Sequence, residues 1–164
     1  MDYKEGLHSD DLRAKGAEIL TGSVTDRQVV EQSMKGVEVV FHLATAFREL
    51  HKPNSFYDEV NVGGTQVMLS AARRHDVRKF IYCSTCGVHG NVARPPADED
   101  APIRPGDYYQ RIKYEAEPLV SASAGAEFET VILRPAAIYG PGDPERFFLP
   151  AQGVEPESQG NGRG

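Results

Sequence analysis

The sequence predicts an α/β fold built on a doubly wound parallel sheet. Two observations point there. Short apolar strand-like runs alternate with stretches whose apolar residues recur at helical spacing, the pattern of βαβ units. The run over residues 37–43 is largely apolar, interrupted by Glu38, as expected of a strand inside a parallel sheet rather than a half-exposed antiparallel one. Right-handed crossovers are then expected to place helices on both faces of the sheet.

Taken in order, residues 17–21 form a short strand that ends at Gly22. Thr25 or Asp26 can cap a helix over residues 27–34, which Gly36 terminates. The buried strand at 37–43 follows, then a polar loop over 47–54. Val60, Gly64, Val67, Met68, Ala71 and Ala72 mark one apolar face of the next helix. Residues 79–83 are a strand, and the proline- and acid-rich stretch 91–107 is loop. Tyr109, Ile112, Ala116, Leu119 and Val120 outline another helix, and residues 130–133 the last clear strand. The division is a single domain over residues 1–150 and a polar, flexible tail over 151–164, where apolar periodicity stops.

Composition excludes several classes. With 164 residues, 40% hydrophobic and 26% charged, the chain is long enough for one core. A net charge of −6 and only short basic clusters such as Arg73-Arg74 argue against nucleic acid and anionic membrane as partners. No run is apolar for long enough to span a bilayer, and the first six residues are too polar for a signal peptide, so a cytoplasmic location is expected. Cys83 and Cys86 have C-x-x-C spacing but end a strand instead of opening a helix, and no second pair accompanies them. Neither a redox nor a metal role is expected of them.

Chemistry concentrates at Tyr109 and Lys113, four apart on a predicted helix and so on one face, one turn apart. A free phenol titrates near pH ~10 and is a poor base at neutrality; a neighbouring ammonium favours the phenolate. Such a pair can exchange a proton with a substrate hydroxyl or carbonyl while a cofactor gives or takes hydride. By itself the spacing is equally that of two amphipathic side chains on a helix surface. Ser84 and Thr85 stand just past a strand, where open parallel sheets bind ligands. A hydroxyl there could polarise a substrate oxygen, or simply satisfy a local turn.

Five motifs, in order, resemble those of the extended short-chain dehydrogenase/reductases of the NAD-dependent epimerase/dehydratase type. They are His42-Leu43-Ala44, Asn61-Val62-Gly63-Gly64-Thr65, the segment from Ser84-Thr85 to Gly90, the Tyr109/Lys113 pair, and the segment from Leu133-Arg134-Pro135 to Gly142. The resemblance implies a Rossmann-like domain binding NAD or NADP and acting on a small-molecule substrate, a sugar nucleotide or another alcohol or carbonyl compound, with homo-oligomers possible. It implies Tyr109 as acid/base, Lys113 as the group that holds the nicotinamide ribose and tunes the phenol, and Thr85, with its neighbour Ser84, as the catalytic hydroxyl. Ser23 and Val24 fall where the family contacts adenine; Leu43, Ala44 and Thr45 would line the cofactor cleft; Pro135 and Ala136 would lie near the nicotinamide. Asn61 is expected to be a structural helix-start contact.

The resemblance is incomplete. The family's first strand, glycine loop and second strand have no counterpart here, so the expected sheet is a partial one with an unpaired edge at residues 37–43. The Gly160–Gly164 cluster follows no strand and does not replace the loop. The residue that separates NAD from NADP, at the end of the second strand, is expected to lie outside the chain. Ala137 and Pro135 stand where sugar-nucleotide epimerases commonly carry asparagine and an aromatic, which counts against a UDP-sugar. Two functions follow as expectations. One is a nicotinamide-dependent epimerase, dehydratase or oxidoreductase, with little turnover from these 164 residues alone. The other is a non-catalytic fragment, or a chain completed by a partner along its open edge. A regulatory dinucleotide sensor is disfavoured by the Tyr/Lys pair itself.

Overall fold

The computed structural model describes residues 1–47 and 51–138. The anticipated tail at 151–164 and the end of the last motif, from Tyr139 to Gly142, lie outside the described residues. Three parallel strands, β1 (Val39–His42), β2 (Lys79–Cys83) and β3 (Glu129–Leu133), form a sheet in the order β1-β2-β3. Val40 pairs with Phe80 and His42 with Tyr82, while Phe80 pairs with Thr130 and Tyr82 with Ile132. Partners in register share a face, so Val40, His42, Phe80 and Tyr82 point the same way and are buried.

That face is covered by α4 (Gly64–Arg74), which carries the Thr65 contact to His42, and by α5 (Tyr108–Ala122), which carries the Lys113 contact to Tyr82. Met68, Ala71, Ala72, Ala116 and Val120 complete the core between them. The short helix α2 (Arg27–Ser33) buries Val30 and Met34 in the same cluster. Its cap is Asp26, whose carboxylate accepts from the Gln28 and Val29 amides; Thr25 instead bonds to Ser23.

Helices on both faces were anticipated, and among the described residues the second layer is not found. Phe41 is 63% exposed and Val39 40%. The reason is topological. A sheet that grows in one direction, β1 to β2 to β3, with crossovers of one hand, places successive helices on one face.

Local differences have local causes. The strand anticipated at 17–21 is reduced, among the described residues, to one parallel bridge, Asp2 to Thr21, because the chain bends away at Tyr3. Helix α1 (Ser9–Ala14) was not anticipated; it is short and polar, and buries only Ser9. The strand at 37–43 begins later, at Val39, and is exposed on alternate residues, not buried throughout. The helix through Val60 is composite, with α3 (Asn54–Tyr57) running through a π-helical turn at Asp58–Gly63 into α4. Gly64 is required where α4 passes the loop before α2: a Cβ there would lie 2.6 Å from Val24 Cγ2.

Candidate active site

The candidate residues lie toward the sheet's C-terminal end. Beyond β2, Thr85 is extended, and its Oγ1 accepts from the Gly87 amide at 3.1 Å, capping a 3₁₀ turn over Cys86–His89. The Thr85 oxygen accepts that bond, and its hydroxyl proton remains to donate. Asp107 caps α5 by accepting from the Gln110 amide at 2.8 Å, and Gln110 sits so close to the 3₁₀ turn that a Cβ on Gly87 would be 3.0 Å from it. The first turn of α5 is thereby seated on the strand end that bears Thr85.

Tyr109 and Lys113 project from that turn toward different strands. The Tyr109 ring packs on Phe47, past the end of β1, with centroids 4.6 Å apart. Lys113 is 2% exposed, and its ammonium lies 4.4 Å from the centre of the Tyr82 ring on β2. Burial lowers its pKa to about 8, opposed by Cys83 and then Glu117. Burial, helped by the Lys113 charge, pushes His42 down to about 3, so its imidazole is neutral. Thr65 Oγ1 donates to the Asn61 carbonyl at 2.6 Å, so it must accept from His42 Nε2, 3.0 Å away. The ring is therefore the Nε2–H tautomer.

Asn61, 1% exposed, is the structural contact expected of it. Its Oδ1 accepts from Thr45 Oγ1 at 2.7 Å and from the Ala46 amide at 3.0 Å, and its Nδ2 donates to the Ala46 carbonyl at 3.2 Å. The π-helical turn swings this amide inward and pins the segment leaving β1.

A cleft of about 1040 Å³ runs along the open edge of β1. Ser23, Val24, Leu43, Ala44 and Thr45 all line it, together with His42 and, unanticipated from sequence, Asp2. Tyr109, Lys113, Thr85, Ser84, Pro135 and Ala136 do not: Tyr109 lies against Phe47 past the end of β1, Lys113 against Tyr82 of β2, and Ser84, Thr85, Pro135 and Ala136 at the adjoining ends of β2 and β3. There the Ser84 amide donates to the Leu133 carbonyl at 2.7 Å and the Cys86 amide to the Pro135 carbonyl at 3.0 Å. The segment from Leu43 to Phe47 joins the two regions. Ser84, expected beside Thr85 as a catalytic hydroxyl, is oriented differently from its neighbour. It is 3% exposed, and its hydroxyl donates to Glu117 at 2.5 Å, turned into the protein.

This arrangement has known counterparts. The sequence profile of the 3-beta hydroxysteroid dehydrogenase/isomerase family matches residues 1–155. The chain belongs to that family, within the extended short-chain dehydrogenase/reductases. It is 34% identical over 122 residues to the N-acetyl-alpha-D-glucosaminyl-diphospho-ditrans,octacis-undecaprenol 4-epimerase of Escherichia coli O157:H7, covering 73% of this chain and 37% of that protein. It is 36% identical over 141 residues to a 3 beta-hydroxysteroid dehydrogenase/Delta 5-->4-isomerase of Mycobacterium tuberculosis, covering 79% and 38%. Among solved structures, UDP-glucose 4-epimerase of Thermotoga maritima, with UDP-glucose, superimposes with a TM-score of 0.69 at 30% identity over 77% of this chain and 43% of that one. A short-chain dehydrogenase/reductase protein of Agrobacterium tumefaciens with bound NAD gives 0.68 at 30% identity, covering 76% and 43%. The chain thus spans about two-fifths of the length of these family members, with the partial Rossmann-like sheet its motifs imply. No helix among the described residues is long and apolar enough to cross a membrane.

Proposed function

We propose that this chain carries the proton-transfer half of a nicotinamide-dependent epimerase, dehydratase or alcohol/carbonyl oxidoreductase. The observation that carries the reading is the buried Lys113 ammonium, one turn from Tyr109 and beneath the ends of β1 and β2. A cation held at 2% exposure with its pKa brought down to about 8 is an unfavourable arrangement that packing alone does not need.

The described residues fit the two ends of a dinucleotide. The cleft is large enough, and Asp2 stands at the end of its bridged segment in the same cleft as Ser23 and Val24. Its carboxylate would accept from ribose hydroxyls and repel a 2′-phosphate, which favours NAD over NADP. The discriminating residue, expected outside the chain, is on this reading within it. Leu43, Ala44 and Thr45 would border the middle of the cofactor, and Pro135 and Ala136 the nicotinamide. When bound, the nicotinamide supplies the hydride acceptor or donor.

The residues of the chain supply the rest. Tyr109 takes the proton from a substrate hydroxyl, or returns it to a carbonyl oxygen, through its phenolic oxygen. Lys113 keeps a positive charge beside that phenol and donates to the ribose. Thr85 donates its free hydroxyl proton to the same substrate oxygen and so favours the charge that develops there. The substrate is a small molecule bearing a secondary alcohol or its carbonyl, and the cytoplasm is the proposed compartment, in keeping with the free thiols of Cys83 and Cys86. A second reading, a chain completed by a partner along β1, is favoured by the exposure of Phe41 and Leu43, 63% and 61%.

Nucleotide titration tests the first reading. The chain has no tryptophan, so nicotinamide fluorescence can be followed without interference. Saturable micromolar binding of NADH, tighter than NADPH, is expected, with the preference reduced in Asp2→Ala. No binding of either nucleotide at millimolar concentration would overturn it.

A further inference from the structure

Behind Tyr109 and Lys113 lies a polar chain to which the proposed reaction assigns no task. Glu117, one turn beyond Lys113 on α5, is 4% exposed. Its Oε1 accepts from Ser84 Oγ at 2.5 Å and from Arg134 Nε at 3.1 Å, and its Oε2 accepts from Arg134 Nη2 at 2.6 Å. Arg134 Nη1 donates onward to His89 Nε2 at 3.1 Å and to the Glu99 carbonyl at 2.9 Å. Since His89 Nε2 accepts, its Nδ1 carries the proton and donates to the Ala101 carbonyl at 3.0 Å. One carboxylate therefore joins α5, the end of β2, the segment after β3 and, through Arg134, the loop before α5.

Two features distinguish this from a generic buried ion pair. The backbone bonds from Ser84 to Leu133 and from Cys86 to Pro135 flank Thr85 on either side, so the network closes around the strand end that carries the proposed catalytic hydroxyl. Glu117 also faces Lys113 from the same helix. The other titratable groups around Lys113 are His42 on β1, Tyr82 and Cys83 on β2, and Tyr109 on α5.

We propose that Glu117 is a positioning residue: through Ser84 and Arg134 it fixes the strand end bearing Thr85 to the helix bearing Tyr109 and Lys113, with its carboxylate on the Lys113 side of that helix. The proposal rests on the reading of those three groups as the reacting set. Ser84, on this account, acts through Glu117 and not on the substrate.

The test uses the full chain without nucleotide, so it fails or succeeds separately from nucleotide binding. Amide hydrogen exchange reads the strand end, and the NMR titration of the Lys113 side chain, assigned with Lys113→Arg, reads the charge. In Glu117→Gln, exchange at Ser84 and Cys86 should rise at least tenfold relative to the base of β2 (Lys79, Phe80 and Ile81), and the Lys113 midpoint should move down. In Arg134→Lys, which keeps Glu117 but loses the forked contact, the same local acceleration is expected with the Lys113 midpoint near wild type. Acceleration spread evenly over the sheet, or an unmoved Lys113 midpoint in Glu117→Gln, would overturn the proposal. Should Glu117→Gln not fold, Arg134→Lys decides: acceleration confined to Ser84 and Cys86 supports the assignment, and uniform or absent acceleration removes it.

Discussion

Replacing Lys113 by methionine should change how stability depends on pH more than it changes stability at any one pH. In the folded chain the ammonium titrates at about 8, against 10.5 for an ordinary lysine. Between those two values the unfolded chain binds more protons than the folded one, so the free energy of unfolding rises with pH. Below pH 8 both states are protonated and the full penalty of the buried charge is present; above 10.5 both are neutral and it is gone. At ~1.4 kcal/mol per pKa unit, the gain across the window is about 3 kcal/mol. Methionine, of similar length and uncharged at every pH, should lose that gain and be at least as stable as wild type at neutral pH. Urea unfolding followed by circular dichroism, at several pH values from 7 upward, gives both curves. Titrating groups that do not interact with Lys113 cancel in their difference, and repeating both curves with Cys83→Ser removes the nearest one that does. Parallel curves, separated by a constant amount, would show that Lys113 is not held in the desolvated pocket described here.

Two further outcomes follow from the same reasoning. His42 titrates at about 3 in the fold against 6.5 ordinarily, so stability should be lost as pH falls through that window, by roughly 5 kcal/mol at the extreme; His42→Gln, neutral throughout and still able to donate to Thr65, should flatten the acid limb, and an unchanged limb would place the acid sensitivity elsewhere. Gly90 has φ +60°, and a Cβ there would lie 2.0 Å from the Arg104 carbonyl oxygen, so Gly90→Ala should cost about 3 kcal/mol and lower the melting temperature by roughly 10 °C; an unchanged melting temperature would contradict the geometry.

Much of the fold was legible because the signals were local. The apolar runs at β2 and β3 and the periodicity of α4 and α5 each report a single element packing on one core. Asp26, one of two caps read from the sequence, bonds amides two and three residues away, a contact that sequence spacing can anticipate; Asp107 caps α5 in the same way but was read only as the end of a loop. What was not legible depends on partners distant in the chain. The segment at 17–21 has strand composition, yet pairing is decided by what lies beside it, and among the described residues that is Asp2. Similarly, nothing in the run 37–43 reveals that one of its two faces has no helical cover among the described residues. The π-helical turn is invisible to a 3.6-residue pattern.

The candidate site divides along the same line. Tyr109 and Lys113 could be paired from spacing because one helix carries both. Thr85 could be placed from its position after a strand. Extending the helical spacing from Lys113 by one more turn reaches Glu117, so a further candidate was present in the sequence, but its significance was not: a glutamate at that spacing is ordinarily a solvated surface charge. Burial decides the matter, because a carboxylate 4% exposed cannot remain charged without several strong donors. Those donors, Ser84 and Arg134, come from the ends of two other strands. The chemistry-bearing residues are thus specified locally, whereas the geometry that would let them act together is specified by charges whose partners only the folded sheet brings within reach.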